Sequence, residues 1–195
     1  MNVSSLSFDA LLSLQQSRSH VAPRRLVEPG PNAVQLQQLV LAAAQAPDHE
    51  RQRPWRLVLV PAPRRDALGQ AFEAALLQRD PQADADARAA ARNKALRAPC
   101  LLLAVVKHPQ HPDDVPISER LVSLGCALQN LLLAAQAMGL GSGLTSGQAM
   151  ASRPLRSLFG LAEQEQAVCF VNVGTVSAHK APRERPAVQD VLSSL

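Results

Sequence analysis

The sequence predicts one domain of the α/β or α+β class, with helices around a central sheet. The chain has 195 residues, and 47% of them are hydrophobic. Chains above roughly 150 residues bury about 70% of their surface, so this one can form a single core. Residues 99–106 (PCLLLAVV) form a continuous apolar run of strand length, and residues 118–138 form a long apolar segment of helical length. We expect one domain over residues 1–195, ending in an extended arm from about residue 177.

Apolar residues at helical spacing predict six helices. The first helix is expected to place Phe8, Leu11, Leu12 and Leu14 on its buried side. The helix over residues 118–138 is apolar nearly all round, which indicates burial either in the core or in a subunit interface. The six predicted helices cover residues 7–16, 32–45, 64–78, 83–97, 118–138 and 154–159.

Three apolar runs predict strands, over residues 55–60, 99–106 and 167–173. The run over residues 99–106 does not alternate with polar residues, so it is expected to be a central strand covered on both faces. Residues 17–31 contain three prolines and a glycine, which predicts an irregular segment.

Composition excludes several classes of protein. The net charge of +4 is a mild excess that could attract a phosphorylated ligand. Nucleic-acid binders usually concentrate positive charge beside stacking aromatic residues, and here aromatic residues make up 3% of the chain with no tyrosine. No run of about 20 apolar residues and no secretory leader is visible, so we expect a cytoplasmic protein with no membrane partner. Cys100, Cys126 and Cys169 lie in apolar runs without metal-ligand spacing, which predicts buried thiols.

Histidines offer two candidate sites. Ala46-Pro47-Asp48 should end a helix and place His49 on a loop before the next strand, beside arginines and the only tryptophan. His108 and His111 precede two aspartates, but prolines 109 and 112 exclude helical ligand spacing and no third ligand is evident, so we expect no metal. No GxSxG motif is present, and no residue stands out as a catalytic acid, base or nucleophile.

Residues 139–147 (GLGSGLTSG) are rich in glycine. They follow a predicted helix and lack the GxGxxG spacing, so a Rossmann dinucleotide site is excluded, and a P-loop is excluded because no Gly-Lys-Ser/Thr ends the segment. One interpretation is a helix C-cap followed by a glycine-rich edge strand. The other is that Thr145, Ser146 and Gly147 allow close approach of the backbone to a flat ligand.

Two basic clusters lie near opposite ends of the chain. Guanidinium groups bind phosphate oxygens with a forked geometry, so the clusters could share one phosphate if the two ends meet in space. The alternative is that both are solvated surface. The clusters comprise Arg18, Arg24 and Arg25 near the start and Lys180, Arg183 and Arg185 near the end.

A series of motifs resembles the short bacterial branch of the nitroreductase family, which consists of FMN-dependent NAD(P)H oxidoreductases. The resemblance covers about residues 11–186 in the family's order. It is carried by Arg18-Ser19-His20, LVEPGP at 26–31, APDH at 46–49 with Pro54-Trp55-Arg56, the glycine-rich segment at 139–147, and Val173-Gly174-Thr175 followed by Lys180. It implies an α+β, three-layer fold with a central mixed sheet flanked by helices and a long buried central helix.

The resemblance also implies a set of FMN contacts. Arg18 matches the first arginine of the family's Arg-Arg-Ser motif, which contacts the FMN phosphate and ribityl chain. Ser19 stands for the second arginine and His20 for the serine. The remaining implied contacts are His49, with Gln45 one turn before it, at the flavin; Leu144, Thr145 and Ser146 along the isoalloxazine ring; and Lys180 with Arg183 at the phosphate.

The resemblance further implies a homodimer that holds FMN between its subunits, with the C-terminal arm around the partner. Its chemistry would be hydride transfer from NAD(P)H to flavin N5, followed by reduction of a nitroaromatic compound, quinone or similar small acceptor in a ping-pong mechanism. A flavin- or phosphate-ligand-binding protein without turnover is the alternative. A third interpretation, binding of nucleic acid through the net positive charge, would show strong salt dependence.

Overall fold

The fold is described from a computed structural model, over residues 7–178 and 184–195. Seven helices and five strands are found there, joined by short 3₁₀ turns. The helices are α1 (Phe8–Ser17), α2 (Ala33–Ala43), α3 (Arg65–Arg79), α4 (Ala85–Asn93), α5 (Ile117–Ala137), α6 (Arg153–Phe159) and α7 (Val188–Val191). The strands are β1 (Leu26–Val27), β2 (Trp55–Leu59), β3 (Cys100–Lys107), β4 (Gly141–Thr145) and β5 (Glu165–Val176).

The five strands form one sheet around β5, the longest strand. β5 pairs with β1, β3 and β4, and β3 pairs in turn with β2. All of these pairings are antiparallel, and the parallel element among the described residues is a single bridge between His20 and Ser142. The α+β class is therefore confirmed, with a sheet that is antiparallel apart from that bridge.

β3 separates two apolar layers, as expected of a central strand. Leu102 and Ala104 pack with α2 and α5, whereas Leu101 and Leu103 pack with α3 and α6. Residues from Cys100 to Val106 are all buried, because side chains of alternate residues enter the two layers in turn. The prediction of a strand covered on both faces is confirmed.

α5 begins after Pro116 and ends at a glycine-assisted turn, since Gly139 adopts the left-handed backbone (φ 75°) that favours glycine. One side of this helix is buried against the sheet and α2. Its other side carries Leu121 and Val122, which is 66% exposed. The predicted burial of this helix is thus confirmed for the side that faces the sheet and α2. The opposite side is an exposed apolar surface.

Two expectations for the N-terminal part are wrong. α1 forms as predicted but contains no buried residue, and Phe8 is 73% exposed, although the helix contacts α5. The segment 17–31 is not wholly irregular. Leu26 and Val27 pair with Val176 and Thr175, so hydrogen bonds from the distant β5 order a stretch that is rich in proline.

The remaining sequence-based bounds differ by a few residues, and α4 ends in a 3₁₀ turn (Lys94–Leu96) instead of continuing to residue 97. Cys100 and Cys169 are buried and Cys126 is partly buried, and all three are unpaired. Burial raises the pKa of the Cys100 and Cys169 thiols to about 11. Within the described ranges, no helix is long and apolar enough to cross a membrane.

Candidate functional site

The N-terminal basic motif lies beside the glycine-rich strand β4. His20 forms a bridge with Ser142, and the Val21 amide donates to the Ser142 carbonyl over 2.9 Å. A Cβ atom at Gly143 would lie 2.3 Å from the Val21 carbonyl oxygen and about 3 Å from the His20 ring. Glycine at this position therefore permits the motif to pack directly onto the backbone of β4.

The two ends of the chain meet at Arg18. The guanidinium of Arg185 donates to the Arg18 carbonyl oxygen over 2.6 Å. Partial burial, together with the nearby positive charge of Arg185, lowers the pKa of Arg18. An anion beside two arginines offsets the repulsion between their positive charges. Of the sequence-predicted partners, Lys180 and Arg183 lie outside the described residues.

Asn172 ties β4 to β5 beneath this segment. Its side chain is buried, and its Nδ2 atom lies 3.1 Å from the Gly143 carbonyl oxygen and 2.9 Å from the Thr145 hydroxyl oxygen. Ser146 donates its hydroxyl to the Val168 carbonyl over 3.1 Å. These contacts fix Thr145 and Ser146 at the end of β4. The side chain of Leu144 packs instead into the apolar layer with α5.

A cavity of about 510 Å³ adjoins the end of β4, within the usual size range of small-molecule sites. Phe170, Leu101 and Asn172 contribute from the sheet, and Phe72 and Leu76 contribute from α3. Phe72 and Phe170 meet edge to face, with ring centroids 5.7 Å apart. The other described lining residues include Pro23, three residues of the α4 region, and the segment from Thr145 to Met150.

The charged groups of the cavity are all cationic. Arg79, Lys94 and Arg97 line it, and none of its described lining residues is an aspartate, glutamate, histidine or cysteine. A partly apolar cavity with positive side chains favours a flat ligand that carries negative charge. The cavity itself offers no carboxyl, imidazole or thiol group for acid or base catalysis within the described lining.

His49 lies on a separate loop that packs against the start of α5. Its Nδ1 atom is 2.7 Å from the Glu119 carboxylate, and both side chains are exposed. The hydrogen bond to Glu119 raises the pKa of His49. The loop is tightly turned, because Glu50, Arg51 and Arg53 all adopt positive φ values near 50°, which non-glycine residues adopt rarely.

Hydrogen bonds from Trp55 of β2 and Ser123 of α5 hold the start of the same loop at Pro47. The Trp55 indole donates to the Ser123 hydroxyl over 3.0 Å, and that hydroxyl donates to the Pro47 carbonyl over 2.5 Å. Gln45 follows α2 and is exposed, and its side-chain amide donates to the Leu41 carbonyl oxygen of that helix. Neither Gln45 nor His49 lines the cavity of its own chain.

The structure thus brings His20, and with it the neighbouring Arg18 and Ser19, to β4, which ends at Thr145 just before Ser146. Neither Gln45 nor His49 is among the described lining residues of the cavity. Sequence reasoning selected Thr145 and Ser146 of the cavity lining but missed Arg79, Lys94, Arg97 and Asn172. A signal existed for Asn172, since it is the one polar residue within the apolar run AVCFVNV.

Comparison with known proteins places the chain among close relatives. The sequence model of the "Nitroreductase family" matches residues 23–175. The chain is 34% identical over 176 residues to "Putative NAD(P)H nitroreductase" of Haemophilus influenzae, which covers 90% of this chain and 92% of the relative. It is 37% identical over 169 residues to "Putative NAD(P)H nitroreductase YdjA" of Escherichia coli K12, and this match covers 86% of this chain and 88% of the relative.

Solved structures share the fold at lower identity. A nitroreductase-like family protein from Bacillus cereus superposes with a TM-score of 0.80 at 18% identity, covering 97% of this chain and 98% of that one. The FMN- and NADPH-dependent nitroreductase NfnB from sphigopyxis sp. strain HMH superposes with a TM-score of 0.74 at 17% identity. This match covers 97% of this chain and 99% of that one. At these identities the likeness supports the fold.

Proposed function

Because the chain belongs to the nitroreductase family and is an oxidoreductase, we propose that it is an FMN-dependent enzyme that oxidises NAD(P)H. Its second substrate would be a nitroaromatic compound, a quinone or a similar small electron acceptor. The observation that carries the proposal is that β4 connects two basic features. The Arg18–Arg185 contact adjoins β4 through the His20–Ser142 bridge, and Thr145 at the end of β4 lines the cationic cavity. One phosphorylated, flat ligand would satisfy both.

The residues present fit FMN. Arg18 and Arg185 would hold the phosphate, since an anion there would offset the repulsion that contributes to the lowered pKa of Arg18. Lys180 and Arg183, as the family resemblance implies, remain proposed partners of that phosphate. Thr145 and Ser146 would border the isoalloxazine ring, and the backbone of Leu144 leads to them along β4.

FMN, when bound, would supply two-electron redox chemistry between NAD(P)H and the acceptor, with ping-pong kinetics. The side chains of this chain supply position and charge. Arg79, Lys94 and Arg97 would offset the negative charge of the reduced ring. The apolar walls from Phe72 and Leu76 would exclude water, and protons for the acceptor would come from solvent.

A homodimer would complete the site. Phe8 of α1, Val34 and Leu41 of α2, and Leu121 and Val122 of α5 are exposed, and α5 contacts both other helices. Contiguous apolar patches of this kind are typical of subunit interfaces. Pairing of two chains through these helices would let the Gln45–His49 region of one protomer reach the flavin held by its partner.

The C-terminal arm would extend the same interface. Helix α7 and the residues after it expose Val188, Val191, Leu192 and Leu195, while Arg185 anchors the base of the arm at Arg18. An exposed apolar segment held at one end is suited to packing on a second copy of the chain. The cytoplasmic location and the division into one domain with an arm stay predictions.

The visible absorption spectrum of the purified protein tests the proposal. The protein is loaded with FMN, desalted and mixed anaerobically with NADH or NADPH, and a nitroaromatic compound or quinone is then added. We expect a retained flavin spectrum that bleaches with the nucleotide and returns with the acceptor. Failure to retain FMN would overturn the proposal. Retained FMN that neither nucleotide reduces would establish the alternative, a flavin-binding protein without turnover.

A further inference from the structure

Arg79 lies on the solvent-exposed rim of the cationic cavity, where an acceptor would approach the flavin. We propose that Arg79 is a specificity-determining residue that selects aromatic electron acceptors carrying a carboxylate or sulfonate group. The inference rests on the proposed function and narrows its substrate class from small acceptors in general to anionic ones.

The guanidinium of Arg79 makes two hydrogen bonds within its own chain and has one edge left available. Arg79 is the last residue of α3, its Nε donates to the Ala75 carbonyl over 3.2 Å, and its Nη1 donates to the side-chain oxygen of Gln148. No described residue accepts from Nη2. A guanidinium that is already oriented loses little side-chain freedom when it binds a carboxylate, so the available edge is a ready anion contact.

The charge balance of the cavity favours an anionic acceptor even after the flavin is counted. Arg79, Lys94 and Arg97 contribute three positive charges, and no carboxylate stands among the described lining residues. A reduced flavin ring carries about one negative charge, and the FMN phosphate would lie at the Arg18–Arg185 pair. Positive charge therefore remains in the cavity once the cofactor is bound.

The apolar part of the lining accounts for the aromatic part of the predicted acceptor. Phe72, Leu76 and Phe170 form a wall on the same cavity, and Phe72 belongs to the same helix as Arg79. An aromatic ring can pack on this wall while its anionic substituent meets the guanidinium at the rim. A neutral acceptor of the same shape would gain only the packing.

The test compares 4-nitrobenzoate with 4-nitrobenzamide, which have the same ring and nitro group and differ in charge. The variants are Arg79→Gln, which removes the charge, and Arg79→Lys, which keeps it without the fork. Arg153→Gln is the matched control, because Arg153 is exposed and outside the cavity lining and its loss changes the net charge equally. The ratio of kcat/KM values for the two acceptors is measured for each protein.

In Arg79→Gln we expect the benzoate-to-benzamide ratio to fall about tenfold, mainly through KM, since a hydrogen bond to a charged group contributes roughly that much. Arg79→Lys should keep part of the preference, and the effect should shrink at high ionic strength. Equal losses for both acceptors would overturn the inference, because Arg79 would then act on the site in general. An equal change in Arg153→Gln would also overturn it, since net charge alone would explain the preference.

Binding of unreactive benzoate and benzamide to the oxidised, FMN-loaded protein provides a readout without turnover. By calorimetry, we expect the Kd for benzoate to rise about tenfold in Arg79→Gln and the Kd for benzamide to change less than about twofold. A protein that retains FMN and is reduced by NAD(P)H, yet binds both compounds equally, contradicts this inference alone. A protein that does not retain FMN contradicts the proposed function as well.

Discussion

Gly143→Ala tests whether the N-terminal motif and β4 form one unit. The added Cβ would lie 2.3 Å from the Val21 carbonyl oxygen, where real Cβ atoms keep at least 3.0 Å, and about 3 Å from the His20 ring. The nearest atom belongs to the backbone, so no side-chain rotation relieves the clash. The segment from His20 to Val21 must therefore move away from β4 by roughly 0.7 Å or more.

This displacement has a cost that can be worked out from the contacts. It strains or breaks the hydrogen bond from the Val21 amide to the Ser142 carbonyl, which contributes about 0.5–1.5 kcal/mol. Overpacking of a buried position adds about 1–3 kcal/mol. We expect the free energy of unfolding to fall by about 2–4 kcal/mol in total. If Arg18 holds the phosphate as proposed, FMN binding should weaken about tenfold or more, because a shift of Arg18 would loosen those charged contacts.

Urea unfolding measures the first quantity and quenching of FMN fluorescence measures the second. The matched control is Gly125→Ala in α5, where an added Cβ meets nothing within 4 Å and alanine favours the helix by about 0.5–1 kcal/mol. A Gly143→Ala protein with wild-type stability and wild-type FMN affinity would refute the reasoning, since the motif would then not depend on contact with β4.

Three further predictions concern other parts of the site. Arg18→Ala and Arg185→Ala should each weaken FMN retention about tenfold in a fluorescence titration, with the exposed Arg24→Ala as control, and an unchanged Kd would remove that arginine from the phosphate site. Asn172→Leu should lower the free energy of unfolding by about 1–3 kcal/mol in urea, because buried oxygens on β4 lose their donor, and an undiminished value would contradict that role. The pKa of His49 is raised in the folded protein, so its contact with Glu119 stabilises the fold below the unfolded pKa, and that contribution is lost as pH rises through the folded value. In an NMR titration, Glu119→Gln should lower the pKa of His49, and an unchanged titration would exclude the pairing.

The first six helices and the buried strands could be predicted from sequence because their signals are local, whereas the short α7 lies in the segment expected to be an extended arm. β3 is an uninterrupted apolar run, and α2 is capped by Asn32, whose side chain forms a capping box with that of Gln35. β1 could not be predicted in the same way. It has only two residues, and its partners on β5 lie about 150 positions further along the chain, so no local pattern specifies it.

The sequence could not predict whether an apolar helix face is buried when nothing within the same chain covers that face. Phe8 and Leu11 have the spacing of a buried helix face, yet both are exposed on α1. The spacing indicates that this face is apolar, but it cannot indicate which surface covers it. If the proposed dimer forms, these residues become buried, and the sequence signal refers to the assembly and not to the single chain.

The cationic residues of the cavity illustrate a further limit of sequence reasoning. Arg79, Lys94 and Arg97 resemble ordinary surface cations in the sequence, and only the packing of α3 and α4 gathers them around one space. No short-range motif connects the end of α3 with the 3₁₀ turn that follows α4. Asn172 differs because an isolated amide within an apolar strand must find a hydrogen-bond partner or a ligand, and its position in the sequence is therefore informative by itself.

The cavity keeps its positive charge because the nearby carboxylate of Glu73 pairs with other arginines. Glu73 of α3 is buried and pairs with both Arg88 and Arg92 of α4, which lowers its pKa and fastens the two helices together. This carboxylate is therefore not available to Arg79 or Lys94, which lie on the same two-helix unit and its adjoining turn. Glu73 thus joins α3 to α4, and the cavity cations Arg79, Lys94 and Arg97 have no acidic partner within the described lining. An anionic ligand can then supply the missing charge, and this links the packing of α3 and α4 to the proposed chemistry.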